Sequence, residues 1–347
     1  LERLREVFLA PSGQPFVAAG SGTLAMDMAA ANLIEPGDKA LVVNHGVFGD
    51  RFGEILERYG AEVTHLRGPV PGDVPTVDEI EAALNENDYQ MMTITHVDTS
   101  TAVVADVEAL ASLGQEHGAL VVVDGVCSVA GEELRQKAWG VDLALTASQK
   151  AIGVPPGLAL VVAGPRAMET FRKRKAPVVN YYADWTKWLP IMEAYEAREP
   201  SYFGTPPVNL IWALNVSLGQ ILDEGMDARF ERHRNVSTAV KAAVTALGMA
   251  QVPVSGDKAA TTLTAPYFPD GVDRSLLKHV SQAGVILAGG LHPEIKERYF
   301  RIGHMGVVNG SDVRATIGAI EHGLAQAGYA FEEGAGLAAA QEVLAGT

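Results

Sequence analysis

Strand–helix alternation is the feature that most constrains the fold of this chain. Seven short apolar runs, at residues 16–19, 40–43, 62–66, 91–96, 120–123, 143–146 and 158–162, are separated by stretches with helical periodicity. Thr76-Val77-Asp78-Glu79 reads as a capping box opening one helix, and residues 106–117 read as another, stopped by Gly118. Apolar runs this short, alternating with helices, predict an α/β fold with a mostly parallel seven-stranded sheet covered by helices.

The second half reads differently. Residues 209–248 form a long helical stretch behind the loop Thr205-Pro206-Pro207, broken near Glu224-Gly225. Short strands at 261–265 and 284–287 and a helix at 275–283 follow. This predicts a large domain over residues 1–224 and a smaller C-terminal α/β domain over 225–347. The Ala- and Gly-rich tail, 334–347, reads as a surface helix.

Composition excludes several partners. The net charge of -15, with no long basic block, disfavours nucleic acid and anionic membrane surfaces. No apolar segment approaches the roughly 20 residues of a membrane span. The one cysteine, Cys127, forbids an intrachain disulfide and fits a soluble intracellular protein in a reducing compartment. The final Ala345-Gly346-Thr347 is not a Ser-Lys-Leu peroxisomal signal, and cytoplasm, mitochondrion and peroxisome all stay open.

The chemistry lies at the ends of the apolar runs, because open α/β sheets bind ligands outside the carboxyl ends of their strands. Gly20-Ser21-Gly22-Thr23 opens a helix, where free N–H groups and the helix dipole favour a phosphate. It is neither a Walker loop nor a dinucleotide fingerprint. Asp124 ends a run that reads as fully buried, and such a carboxylate could keep a pyridinium nitrogen protonated. Lys150, in Ala147-Ser148-Gln149-Lys150, follows another buried run and could act as a nucleophilic amine. Val126 and Phe48 could pack on the two faces of a ring. Arg301, flanked by apolar residues, has the fork that suits a carboxylate. Each feature alone is equally an ordinary cap, strand end, core residue or ion pair. Together they are the parts that hold pyridoxal phosphate. His45, His96 and His304 lack metal-ligand spacing, so no metal is expected.

These motifs resemble the class V aminotransferases, pyridoxal-phosphate enzymes on the fold-type-I scaffold. The resemblance rests on Gly20-Ser21-Gly22-Thr23, Asp124-Gly125-Val126-Cys127-Ser128 and Ser148-Gln149-Lys150-Ala151. Within the family the chain is most similar to the alanine–glyoxylate branch, through residues 95–102, Trp139-Gly140-Val141-Asp142, residues 202–207 and Arg301-Ile302-Gly303-His304-Met305-Gly306. It runs from about residue 1 to 320.

The resemblance implies a role for each matching residue. Lys150 carries the cofactor as a Schiff base, and Asp124 pairs with its ring nitrogen. Ser21, Gly22, Thr23 and Gln149 hold the phosphate. Thr99 hydrogen-bonds near the phenolic oxygen, Val126 backs the ring, and Phe48 stacks on it where many members carry Trp. Tyr202 and Thr205 reach the phosphate of a neighbouring subunit, which implies a homodimer with shared sites. Arg301 clamps the substrate carboxylate. A Gly- and Pro-rich N-terminal segment walls the family's pocket; this sequence, starting at Leu1, reads as truncated ahead of it.

The expected reaction is ping-pong transamination of L-alanine and glyoxylate to pyruvate and glycine. A serine–pyruvate or serine–glyoxylate aminotransferase is the alternative on the same scaffold. A desulfurase is disfavoured, because Cys127 sits beside the cofactor strand and not in a late mobile loop. A non-catalytic binding or assembly module would have no need of both Lys150 and Asp124.

Overall fold

A computed structural model of the chain describes residues 1–346. The seven apolar runs form one sheet in the order Gln14–Ala19, Leu158–Ala163, Leu143–Ala147, Leu120–Asp124, Met91–Thr95, Lys39–Asn44, Glu62–Arg67. Only Leu158–Ala163 opposes its neighbours; the other adjacent pairs run parallel. Alternate residues of each central strand enter different cores, as the period of two requires. Leu41, Val43, Met92, Ile94, Val121 and Val123 face one side, with the helices Glu2–Val7, Val77–Glu86, Val107–Glu116 and Val208–Glu224. Ala40, Val42, Met91, Val122, Leu143 and Leu145 face the other, with Gly22–Leu33, Val47–Arg58, Pro165–Arg172 and Trp185–Glu196. Because both faces are covered, central runs such as Leu120–Val123 and Leu158–Ala163 are apolar throughout.

The helix starts read from the sequence are present. Glu79 N–H donates to Thr76 Oγ1 at 3.3 Å while Thr76 N–H donates to the Glu79 carboxylate at 2.8 Å, closing the capping box. Asp106 caps the next helix through Ala109 N–H.

In the second half, the helices Val208–Glu224 and Met226–Ala246 meet at Gly225. Met226 and Phe230 pack with the large sheet, whereas Val236, Val240 and Val244 pack with the second one. We propose the domain boundary at about residue 225, with this helix as the connecting rod. The second sheet orders Leu263–Thr264, Phe300–Gly303 and Ala288–Gly289. One expectation shifts here, and one strand is new. The strand placed at 284–287 lies at Ala288–Gly289, where the backbone pairs with Phe300 and Arg301. The strand at Phe300–Gly303 carries no readable alternation, because pairing and not pattern defines so short a strand. The tail forms the expected surface helix, Ala335–Ala345, docked through buried Gly336 and Ala340 against the Met226–Ala246 helix and its end. Glu321, itself buried, accepts from Gly336 N–H and Leu337 N–H at the start of that helix. Thr347 lies outside the described residues. Among the described residues no helix is long and apolar enough to cross a membrane.

Candidate active site

The strand register brings the polar loops to one edge. Thr95 lies opposite Asp124, Asp124 opposite Leu145, Ala147 opposite Ala159, and Leu158 opposite Ala19. The segments that follow Ala19, Asn44, Thr95, Asp124 and Ala147 therefore emerge side by side.

Asp124 is the electrostatic centre of this edge. It is 2% exposed, and its Oδ1 accepts from Val126 N–H at 2.9 Å. Burial pushes its carboxyl up to about 7; Asp98 pushes the same way, while Val126 N–H and the charges of Arg51 and Lys150 pull back. Asp124 thus feels the charges of Asp98, Arg51 and Lys150. The Lys150 charge also reaches the buried Cys127 thiol, which burial pushes up and which hydrogen-bonds Thr99 and Thr262.

The lysine sits on a braced turn. Ser148 Oγ donates to Pro155 O at 2.8 Å, Val154 N–H to Ser148 O, and Gly153 N–H to Lys150 O. Arg229, 3% exposed on the connecting helix, donates at 2.7 Å to both Ala151 O and Ala130 O. Ser217 donates to Ile152 O. Lys150 is half-buried and Gln149 exposed. One turn beyond Arg229, His233 Nε2 accepts from Gly306 N–H at 3.0 Å, and burial holds this imidazole neutral with its pKa at about 4.

Ser21 precedes the helix Gly22–Leu33, yet its hydroxyl makes no capping bond to it. A plain cap therefore does not account for the serine, and the first N–H groups stay open to an anion. Gly22 is needed for close approach: a Cβ there would lie 2.6 Å from Val126 Cγ2. This contact seats the loop after Asp124 against the loop carrying Ser21 and Thr23.

Phe48 stands on the first turn of Val47–Arg58. Its N–H donates to Asp98 Oδ2 at 2.9 Å, and the Asp98 carboxylate also receives Ser100 N–H at 2.8 Å. A Cβ on Gly46 would strike that carboxylate at 2.2 Å from its carbon. Asp98, fully buried, thereby caps a helix distant in sequence. His45 and His96 lie behind it; burial lowers both, His96 to about 3, and both keep ring nitrogens without partners.

Arg301 joins the small sheet to the turn that follows Asp98. Its Nε donates to Gly289 O at 2.9 Å and its Nη1 to Thr99 O at 3.1 Å. No carboxylate of the described residues pairs with it, so a structural ion pair does not explain this arginine.

Tyr202 and Thr205 stand apart from these groups in the single chain. Tyr202 is 72% exposed, and its OH lies 3.2 Å from Thr205 Oγ1. Thr205 lines a cavity of about 630 Å³ shared with Leu1, Tyr182, Trp188 and Trp212, and neither Lys150 nor Asp124 reaches it. Among the described residues no group of three or more His, Cys, Asp or Glu could hold a metal.

Sequence reading gave Asp98 no role of its own and passed over Arg51 and Arg229. Asp98 falls within residues 95–102, a stretch already set apart, so its carboxylate was in view. The contacts of Arg51 with Thr23 and of Arg229 with Ala130 and Ala151 leave no local signal, because these partners lie 28 or more residues away.

The residues present fit pyridoxal phosphate: a helix start with an unused serine, a buried carboxyl at one end of the space, and an amine that senses it. Comparison with known proteins agrees. The family model for class-V aminotransferases matches residues 2–318. Alanine–glyoxylate aminotransferase 1 of Saccharomyces cerevisiae is 42% identical over 319 residues, covering 88% of this chain and 82% of the relative. Serine–glyoxylate aminotransferase of Arabidopsis thaliana is 30% identical over 351 residues, covering 99% of this chain and 86% of the relative. The crystal structure of an alanine–glyoxylate aminotransferase from Nostoc sp. superposes with a TM-score of 0.86 at 32% identity, covering 93% of this chain and 85% of that one. The chain belongs to the class V aminotransferases, and its cofactor is pyridoxal 5′-phosphate.

Proposed function

We propose that the chain transfers the amino group of L-alanine to glyoxylate, giving pyruvate and glycine in two half-reactions. The observation that carries the reading is a buried Asp124 that feels the Lys150 charge, together with an Arg301 that has no carboxylate partner among the described residues, in a chain 42% identical to an alanine–glyoxylate aminotransferase. When bound, pyridoxal phosphate supplies the electron sink that lets an amino-acid Cα–H ionise.

The residues divide the remaining work. Ser21, Gly22, Thr23 and Gln149 hold the phosphate. Asp124 keeps a proton on the ring nitrogen, and its burial makes that charge pairing strong. Val126 and Phe48 confine the ring, and Thr99 donates to the phenolic oxygen. Lys150 would hold the cofactor through its Nζ. As a free amine, that Nζ would take the proton from the substrate Cα and later return it. Arg301, aimed by the carbonyls of Thr99 and Gly289, receives the substrate carboxylate on its remaining donors.

The working unit in this reading is a homodimer. Exposed Tyr202, Trp212 and Val208 offer an apolar surface, and Tyr202 and Thr205 complete the phosphate site of the second copy. A serine donor is the second reading, favoured by the Arabidopsis relative and separated from the first by one hydroxyl.

Half-reaction spectra decide between them. Alanine, serine, aspartate and glutamate are each mixed with the holoenzyme, and glyoxylate is then added. Alanine should convert the cofactor to its amine form fastest, and glyoxylate should restore the starting spectrum. Faster conversion by serine replaces the donor assignment. Lys150→Ala should lose turnover and the near-visible band; wild-type turnover in that variant sinks the mechanism.

A further inference from the structure

Arg51 has no assigned task, yet it touches two parts of the site. It lies three residues after Phe48 on the Val47–Arg58 helix, so both project from one face. Its guanidinium carbon stands 4.8 Å from the Phe48 ring centroid. Its Nη1 donates to Thr23 Oγ1 at 3.0 Å, 28 residues away. Its charge is felt at Asp124.

Arg51 is also free of any carboxylate. The adjacent acid, Asp50, turns the other way and pairs with Arg67 at 2.5 Å. No ion pair is made by Arg51 among the described residues. A half-buried arginine without a counter-ion, in a chain of net charge -15, marks a place where an anion is expected.

The phosphate group supplies that anion. Every residue so far given to it, Ser21, Gly22, Thr23 and Gln149 with Tyr202 and Thr205 of a second copy, is neutral. A phosphate dianion held by neutral donors alone keeps its charge uncompensated except for the helix dipole. The hydrogen bond to Thr23 has a directional consequence as well. Thr23 Oγ1 already accepts from Arg51, so its single O–H proton is available to donate to a phosphate oxygen.

We propose that Arg51 is the counter-charge of the cofactor phosphate, polarising the Thr23 hydroxyl toward it. The proposal rests on the reading that Ser21, Gly22 and Thr23 hold the phosphate. It makes Arg51 a binding and positioning residue, one that takes no part in proton transfer.

The test compares pyridoxal phosphate with pyridoxal, which has the same ring and aldehyde and no phosphate. Affinities for the cofactor-free protein are measured by absorbance and fluorescence titration, with inorganic phosphate as competitor. Arg51→Gln should bind pyridoxal phosphate about 10- to 100-fold more weakly than wild type, as expected for one charge-assisted contact. Its affinity for pyridoxal should be unchanged, which also reports that the site is folded. Inorganic phosphate should compete less well by a similar factor, and Arg51→Lys should recover part of the loss. Wild-type binding should weaken with added salt more steeply than that of Arg51→Gln. Equal losses for both ligands, or no loss for either, overturn the proposal. If wild type itself shows no preference for the phosphorylated ligand, the underlying phosphate-loop reading fails instead.

Discussion

Replacing Asp124 with asparagine should make the cofactor-free protein more stable while impairing its chemistry. The side chain is 2% exposed, and burial raises its carboxyl from 3.8 to about 7. An unfolded chain releases this proton near 3.8, whereas the folded chain holds it to about 7. Between those values unfolding releases a proton, so rising pH favours the unfolded state. Above about 7 the full penalty of the buried charge is in place, and below about 3.8 it is gone. At 1.36 kcal/mol per tenfold change, the displacement corresponds to about 4 kcal/mol. An asparagine side chain in this place would keep the shape and the acceptor for Val126 N–H but carry no proton to lose. Asp124→Asn should therefore gain up to about 4 kcal/mol over wild type at pH 8, and the gain should shrink toward zero as pH falls to 4. Urea midpoints of the two cofactor-free proteins, taken across this range, measure it. His96, His233 and His304, lowered by burial to about 3, about 4 and about 3, destabilise both proteins as pH falls below 6.5 and cancel in the difference. Adding pyridoxal phosphate should reverse the order, because only the carboxylate can pair with the protonated ring nitrogen. A difference between the proteins that does not change with pH refutes the argument, as does a less stable Asp124→Asn at pH 8.

Other perturbations address the remaining parts of the site. Gly22→Ala places a Cβ 2.6 Å from the β-branched Val126; the overpacking of about 1–3 kcal/mol should weaken cofactor binding roughly 10- to 100-fold, and unchanged affinity would separate this loop from the phosphate. Arg229→Met strands the carbonyls of Ala130 and Ala151, while Glu224 keeps Arg232 at 2.6 Å. A loss of about 2–5 kcal/mol in urea unfolding is expected, with kcat reduced more than KM is changed; a stable variant with normal kcat would show that the Lys150 turn needs no such brace. For the shared site, Lys150→Ala and Thr205→Asp should each be inactive, yet their mixture should regain about a quarter of wild-type activity. Half of randomly paired dimers are mixed, and each holds one intact site. A mixture that stays inactive argues for sites complete within one chain.

Much of the fold was legible because buried sheets leave a plain trace. Both faces of the central strands are covered, so runs such as 120–123 and 158–162 are apolar without interruption, and observed bounds differ by only a residue or two. Polar residues that end such runs are conspicuous, which is how Asp124 and Lys150 could be found. The short strands of the second sheet were harder. Ala288–Gly289 and Phe300–Gly303 have too few residues for a period of two to register, and pairing alone defines them.

The amino-acid sequence by itself determined the strand–helix alternation, the capping of helices, the loop chemistry and the family. These are local properties, carried by neighbouring residues. The tertiary structure decided which loops meet. The register sets Asp124 opposite Leu145, in the strand whose following loop carries Lys150, and the reversed strand Leu158–Ala163 returns the chain to Ala19 and its phosphate-type loop. Arg51 on Thr23, Asp98 on Phe48, Arg229 on Ala151 and Arg301 on Thr99 join positions 28 to 202 residues apart. Such contacts leave no periodic signal, because their energy depends on distance in space and not on spacing along the chain.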